Sequence, residues 1–233
     1  MITMLEPEDF YSAEAVTHED CNDMGVPYNS KDKADGAFAE KAPEGVRISL
    51  KSRRAKEAVF YFPELRGAKS TDWSGAKYAE IHIRNESTFG TRIAFVITQS
   101  SGEKFMLTNG TAVCLGYPDG EYTKAEVFWE SVWIPGNFDG IVYIPMDEKS
   151  LWAVPWALAA GLLDITKITG LSYMLLEQDS RPIDSCFLIK EVRKTAFDPA
   201  PFAKDTYKKL PLAGISAYDF PECIAGMKAI SMA

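Results

Sequence analysis

Tyr78-Ala-Glu-Ile-His-Ile-Arg84 alternates apolar and polar residues without a break. The odd-numbered residues from 79 to 83 are apolar, whereas Glu80, His82 and Arg84 are polar. Successive side chains of a β-strand point to opposite faces, so a period of two predicts a half-buried strand. We therefore expect one face of this segment to enter a hydrophobic core and the other to meet solvent.

The rest of the chain repeats strand-like runs separated by turns. The runs are residues 46–50, 58–62, 92–98, 104–107, 124–134, 141–144, 170–176 and 186–192. Asn109-Gly110 predicts a type I′ hairpin, because both central residues of that turn need positive φ. Pro118-Asp119-Gly120 predicts a further turn. About ten short strands with such spacing indicate an all-β protein, either an antiparallel two-sheet β-sandwich or a barrel.

Only short segments are expected to be helical. Residues 8–16 form a weak candidate, and residues 152–163 are predicted to hold one or two turns, with Pro155 near the start and Gly161 as a stop. Beyond residue 194 the composition changes to Pro and Ala with several aromatic residues. We predict a β-sandwich domain over residues 1–195 and a C-terminal extension, residues 196–233, wrapped on that domain.

Composition narrows the classes of function. The chain has 233 residues and a net charge of −8, so it lacks the basic surface that nucleic-acid binding requires. No stretch of about 18 apolar residues occurs, so no membrane span is expected. Residues 1–16 do not resemble a signal peptide, which leaves a cytoplasmic protein or a domain of a longer secreted chain. Cys21, Cys114, Cys186 and Cys223 are widely spaced and fit either disulfides or buried thiols.

Signatures of catalysis are missing. The chain has two histidines, and it contains no Gly-x-Ser-x-Gly elbow, no His-Glu-x-x-His motif and no phosphate loop. Glu126 and Glu130 would share a strand face at about 13 Å. That separation is wide for the paired carboxylates of a glycosidase, which lie about 5–10 Å apart. We therefore predict that the chain is not an enzyme, while carboxylate pairs across strands remain open.

Five segments in order resemble a known family of modules. They are residues 72–78, 83–85, 131–135, 138–145 and 163–168. Their order resembles jelly-roll, galactose-binding-like carbohydrate-binding modules of multimodular glycan-degrading bacterial proteins, over about half of the chain. The resemblance implies a jelly-roll sandwich, an extracellular or cell-surface location and other modules in a longer chain. It implies no required cofactor, although such modules hold a structural calcium ion in many cases.

Sugar recognition needs flat aromatic rings beside polar side chains, since the C–H face of a pyranose stacks on a ring while its hydroxyls form hydrogen bonds. The candidate carbohydrate-binding residues are Trp152, Trp156, Tyr117, Tyr122, Trp129, Trp133, His82 and Arg84. We predict a non-catalytic module that targets an oligosaccharide or polysaccharide of plant or dietary origin. The alternatives are a structural or adhesion module of a cell-surface assembly and a glycan-active enzyme.

Overall fold

The computed structural model describes residues 14–17, 37–52, 57–61, 72–125, 127–128, 130–154, 162–176 and 183–205. These residues form sixteen strands and two short 3-10 helices, Ile165–Lys167 and Ala200–Phe202. The strands are β1 (Glu14–Thr17), β2 (Ala37–Ala42), β3 (Gly45–Ser52), β4 (Glu57–Tyr61), β5 (Tyr78–Asn85), β6 (Thr91–Gln99), β7 (Lys104–Leu107), β8 (Val113–Gly116), β9 (Tyr122–Ala125), β10 (Val127–Phe128), β11 (Ser131–Ile134), β12 (Asp139–Pro145), β13 (Leu151–Ala153), β14 (Ile168–Leu176), β15 (Ile183–Thr195) and β16 (Ala203–Lys204).

The strands form two sheets. In the first sheet the order is β1-β4-β14-β6-β11-β10, with β7 also paired to β6 and β13 to β7. In the second sheet the order is β16-β9-β8-β12-β5-β15-β3-β2. All pairings are antiparallel except that of β16 with β9. One core cluster takes side chains from both sheets, which confirms the predicted all-β, antiparallel two-sheet sandwich.

The pleat of β5 follows the predicted alternation. Ala79, Ile81 and Ile83 are buried in the core, whereas Glu80 and His82 are only half-buried on the outer face. β5 lies in the middle of the second sheet, between β12 and β15. The strands on its two sides therefore present their own outward residues next to those of β5.

Asn109 and Gly110 form a turn that differs from the predicted hairpin. Thr111 N donates to Thr108 O at 3.0 Å, and Gly110 has a φ of 82°, whereas Asn109 does not have a positive φ. β7 belongs to the first sheet and β8 to the second, so this turn carries the chain from one sheet to the other. The hairpin prediction is wrong because a turn signal fixes the reversal of the chain and not the sheet that the next strand joins.

The single long strand predicted over residues 124–134 is also wrong. β9 belongs to the second sheet, whereas β10 and β11 form a hairpin in the first sheet. Glu130 lies in the turn of that hairpin with a φ of 57°. Glu130 therefore lies in a turn and not on the strand face where the pair with Glu126 was predicted, and Glu126 lies outside the described residues.

Both segments predicted to be helical contain strands in the parts that the structure describes. Residues 14–17 form β1, and Trp152 lies in the middle of β13, paired with Met106 of β7. Residues 155–161, Trp156 among them, lie outside the described residues. Trp152 consequently lies in a strand and not in the predicted helix, because its backbone is extended and pairs with a neighbouring strand.

Asn85, at the end of β5, ties the two sheets together. Its side chain is fully buried, and Nδ2 donates to the carbonyls of Ile134 (3.1 Å) and Pro135 (2.9 Å). Its Oδ1 accepts from the backbone N–H of Ser87 at 3.0 Å. Asn85 thus fixes the crossover between β11 and β12 against the end of β5, since backbone groups buried at such a crossover need a partner.

The first ten residues of the predicted extension run over the outer face of the second sheet. Tyr78 Oη donates to Asp198 Oδ1 at 3.0 Å, and the same oxygen accepts from Ala200 N. β16 then pairs in parallel with β9. We call residues 196–205 the strap. Residues 206–233 lie outside the described residues, so the boundary at residue 195 stays a prediction.

Candidate functional site

The outer face of the second sheet carries half-exposed polar side chains on three neighbouring strands. We call these side chains, together with the apolar Ile141 between them, the polar face: Glu80, His82, Arg84, Asp139, Ile141, Lys190, Glu191 and Arg193. The register places Arg84 opposite Asp139, and His82 between Ile141 of β12 and Glu191 of β15. The polar face therefore forms because β5 and its two neighbours, β12 and β15, each turn polar side chains to the same outer side of the sheet.

Asp139 is held by two cations. Arg84 Nε donates to Asp139 Oδ2 at 2.9 Å, and Lys190 Nζ donates to Asp139 Oδ1 at 2.6 Å. Arg84 also donates to Glu44 Oε2 at 3.1 Å. Burial raises the pKa of Asp139, but the hydrogen bonds from Lys190 and Arg84 outweigh it and leave that pKa below its ordinary value. The carboxylate is ionised and fixed in orientation.

A second group of ion pairs extends the polar face toward β2 and β3. Arg47 Nε donates to Glu86 Oε2 at 2.7 Å, and Arg47 also donates to Glu40 at 2.8 Å. The hydrogen bond from Arg47 lowers the pKa of Glu86. Arg193 Nε lies 2.7 Å from Glu191 Oε1. Planar charged groups are thus held in place across four strands.

His82 lies near the centre of the polar face. Its side chain is 25% exposed, and Nε2 is 3.9 Å from Glu80 Oε2, which is too long for a hydrogen bond. Among the described residues, this buried Nε2 has no hydrogen-bond partner. This nitrogen is itself closed to solvent, so the exposed quarter of the side chain that a ligand can contact is the rest of the ring.

Aromatic rings border the polar face on the side of β9. We call Tyr122, Tyr143, Phe197 and Phe202 the aromatic border. The rings of Phe197 and Phe202 are stacked, with centroids 6.1 Å apart and planes at 8°. Phe202 lies 6.4 Å from Tyr122, and Phe197 lies 6.1 Å from Tyr143, between ring centroids. Phe202 is 63% exposed and Phe197 is 40% exposed, so flat ring area faces solvent.

The backbone makes room for these rings at Gly116 of β8. A Cβ at this position would lie 2.9 Å from the ring of Tyr143 and 3.2 Å from that of Tyr122. Both tyrosines therefore lie over the β8 backbone. The strap is held beside them by ion pairs of Lys124 with Asp205 and of Lys204 with Glu121.

Two of the predicted tryptophans lie on the opposite side of the sandwich. Trp133 of β11 pairs with Arg92, and Trp152 of β13 pairs with Met106, both on the outer face of the first sheet. Ala94 and Val96 point outward from β6 at the centre of that face, yet both are buried. The outer face of the first sheet is consequently closed at its centre.

The remaining predicted residues have other positions. Tyr117 is 6% exposed, and its ring packs edge-on against Phe138 in the core, with centroids 5.3 Å apart. Trp129 and Trp156 lie outside the described residues. The structure thus brings His82, Arg84 and Tyr122 to one face, and it separates Trp133 and Trp152 from them.

Sequence analysis missed several members of the polar face and the aromatic border. Asp139 precedes the predicted strand run of residues 141–144, and its pairing with Arg84 depends on the register between β12 and β5. The alternation of β15 is interrupted by an irregularity between Ile189 and Glu191, which hides its outward residues. The many aromatic residues beyond residue 194 were a signal that could have pointed to Phe197 and Phe202.

The part of the chain that the structure describes has no group of three or more His, Cys, Asp or Glu side chains placed to hold a metal ion. Asp20, Asp23, Asp32 and Asp35, an acidic stretch with the carboxylate oxygens that calcium prefers, lie outside it. No helix within it has the length and apolar character to cross a membrane.

Cys114 and Cys186 are free thiols, and burial raises the pKa of each to about 11.

No protein-family model and no curated protein matches the chain. Among solved structures, PfGH50B covers 84% of this chain with a TM-score of 0.44 and 12% identity, and the chain spans 23% of PfGH50B. A second match is the Family 11 carbohydrate-binding module of Clostridium thermocellum, solved with a β-1,3-1,4-mixed-linked tetrasaccharide. It covers 83% of this chain and 94% of that module, with a TM-score of 0.42 and 14% identity. The match to the agarase AgWH50C covers 94% of this chain and 31% of the agarase, with a TM-score of 0.44 and 11% identity. Likeness of this degree concerns the arrangement of strands and assigns no ligand to this chain.

Proposed function

We propose that the chain is a non-catalytic glycan-binding module that holds its ligand on the polar face and the aromatic border. One observation carries the proposal: a single open sheet face combines exposed aromatic rings with fixed planar polar side chains. Phe202 and Phe197 supply the rings, and Arg84, Asp139 and His82 supply the polar groups. The outer face of the first sheet also places a guanidinium beside an exposed ring, at Arg92 and Phe128, but Ala94 and Val96 are buried at its centre.

Sugar chemistry fits this combination. The C–H face of a pyranose stacks on an aromatic ring, a contact of about 0.5–1.5 kcal/mol by analogy with ring pairs. Its neighbouring hydroxyls both donate and accept, so they suit a guanidinium beside a carboxylate such as Arg84 with Asp139. The ion pairs hold these groups in place before the ligand arrives, which reduces the entropy lost on binding.

The register provides length for several sugar units. Tyr122, Ile141, His82 and Glu191 lie in one row that crosses five adjacent strands. At the usual strand spacing this row is about 19 Å long. An extended oligosaccharide laid along it would meet the aromatic border at one end and the charged groups at the other.

Binding without cleavage fits the ionisation of the site. A glycosidase needs a carboxylic acid whose pKa is raised enough to donate a proton to the leaving oxygen. Asp139 and Glu86 have lowered pKa values because cations hold them. Burial raises the pKa of Glu130, but this residue lies in the β10–β11 turn of the first sheet. Asp139 and Glu86 therefore suit the role of hydrogen-bond acceptors and not that of the proton-donating acid.

The finer features of the function belong to the same proposal. We infer that the glycan is of plant or dietary origin and that the module works outside the cell or at its surface, within a longer chain. Weak binding by one such module becomes useful when neighbouring modules raise the effective concentration. A structural calcium ion also remains a proposal. The adhesion alternative predicts protein partners and no affinity for glycans.

Affinity electrophoresis in native gels tests the proposal. The gels contain starch, xylan, mannan, xyloglucan, mixed-linkage β-glucan or pectin. We expect retardation in at least one gel, relieved by the matching free oligosaccharide. Migration at the free rate in all of them would contradict glycan binding and favour the adhesion alternative.

Phe202→Ala should weaken retention by about tenfold or less, since one stacking contact is lost. Phe202 is 63% exposed, so its removal should change the free energy of unfolding by only about 0.5 kcal/mol. Phe128→Ala is the matched control, because Phe128 is 49% exposed on the first sheet, away from the polar face. Equal retention of the native chain and Phe202→Ala, measured in the same gels, would remove Phe202 from the site.

A further inference from the structure

The cations around the polar face are already paired. Arg84 and Lys190 contact Asp139 and Glu44, Arg47 contacts Glu86 and Glu40, and Arg193 contacts Glu191. Each has at least one carboxylate oxygen within 2.9 Å. In this part of the chain, a ligand carboxylate or sulfate would meet cations whose charge is already neutralised by a protein carboxylate.

Carboxylates also outnumber cations around this face. The described carboxylates are Glu40, Glu44, Glu80, Glu86, Asp139 and Glu191, and the described cations are Arg47, Arg84, Lys190 and Arg193. Two like charges repel at short range near a protein surface, where screening by water is incomplete. The surplus of negative charge therefore disfavours an anionic polymer along the whole row.

A neutral sugar meets no such penalty. Each carboxylate that accepts one or two hydrogen bonds keeps free lone pairs, and each guanidinium has five N–H groups, of which the ion pairs use only some. Hydroxyl groups can add to these free positions while Arg84 and Asp139 stay paired. The ion pairs then hold the hydrogen-bonding groups in place for ligand hydroxyls, and no ion pair has to break.

We infer that the polar face selects neutral glycans and rejects uronate-containing or sulfated ones. This inference rests on the proposed function, because it names the chemical class of ligand for the same site. The deciding feature is the neutralisation of the charges of Arg84 and Lys190 by Asp139. Specificity thus comes from groups that repel one class of ligand as well as from groups that attract the other.

A matched pair of polymers tests the inference with the native chain. One gel contains the neutral polysaccharide that retards the chain most, and a second contains the same polymer after oxidation of its primary hydroxyls to uronates. Polygalacturonate and carrageenan serve as further anionic probes. We expect oxidation to weaken retardation by about tenfold or more, an effect that persists at low salt.

The outcomes separate the two proposals. Equal or stronger retardation by the anionic polymers would overturn the inference and leave glycan binding in place. Free migration in every gel, neutral and anionic, would overturn glycan binding itself. Retardation by neutral polymers alone, lost on oxidation, supports both.

Asp139→Asn provides an independent test, because it keeps the shape of the side chain but releases Arg84 and Lys190 from their shared partner. We expect the ratio of anionic to neutral retardation to rise by about tenfold. Asp164→Asn is the control: it removes the same charge from the pair with Lys167, next to a 3-10 helix. A ratio that rises equally in both variants would show a net-charge effect and contradict the role of Asp139.

Discussion

Asn85→Ala is expected to lower the free energy of unfolding by about 4 kcal/mol. Asn85 is fully buried and donates to the carbonyls of Ile134 and Pro135 while accepting from Ser87 N. Alanine would remove these three hydrogen bonds from buried backbone groups, although Pro135 O keeps a 3.3 Å bond from Phe138 N. A buried backbone group that loses its partner is costly. Each such group costs about 1–3 kcal/mol, although local rearrangement recovers a part.

Urea denaturation followed by tryptophan fluorescence measures this loss. Asn109→Ala is the control, since Asn109 is exposed and its Oδ1 accepts only a 3.3 Å bond from Glu130 N. We expect the control to lose about 1 kcal/mol or less. If the two variants were equally stable, Asn85 would not be the polar link between the end of β5 and the β11–β12 crossover.

Arg84→Ala is expected to weaken glycan binding by about tenfold to a hundredfold. The guanidinium is fixed by Asp139 and Glu44 and still has free N–H groups for ligand hydroxyls. Hydrogen bonds to charged groups contribute about 1.5–3 kcal/mol each. Stability should change by about 1 kcal/mol or less, because ion pairs exposed to this degree contribute little.

Isothermal titration with the oligosaccharide that relieves gel retardation measures this effect. Arg92→Ala is the matched control, since Arg92 lies over the ring of Phe128 on the opposite face of the sandwich. We expect the control to bind as the native chain does. Comparable losses in the two variants would mean that the polar face has no special role.

Local pattern was enough to predict β5 and the class of fold. Ala79, Ile81 and Ile83 alternate with polar residues, and this period survives in the structure because one face of β5 meets a core and the other meets solvent. The turn at Gly120 was predicted for the same local reason. Its φ of 83° and the bond from Gly120 N to Tyr117 O close the β8–β9 hairpin.

Sheet membership could not be predicted from the same patterns. The run from residue 124 to residue 134 has the composition of one strand, yet Glu130 adopts a left-handed conformation and the run divides between the two sheets. Nothing local distinguishes a strand that continues from one that stops and joins the facing sheet. The choice is made by core packing between residues far apart in sequence.

The site was only partly predictable for a related reason. His82 and Arg84 were identified because the alternation of their own strand turned them outward. Asp139 and Lys190 join them through register across neighbouring strands, and Phe202 joins through the path of the strap. Conversely, Tyr117 flanks a turn as predicted, but its ring is turned into the core.

The most direct test of the account compares two double variants by affinity electrophoresis in the gel that retards the native chain. One variant, Phe202→Ala with Arg84→Ala, removes a ring and a guanidinium from the second sheet's outer face. The other, Phe128→Ala with Arg92→Ala, removes the same two groups from the first sheet. The account predicts that the first variant migrates at the free rate and the second is retarded like the native chain. The reverse result would contradict it and place the glycan on the face that carries Trp133 and Trp152.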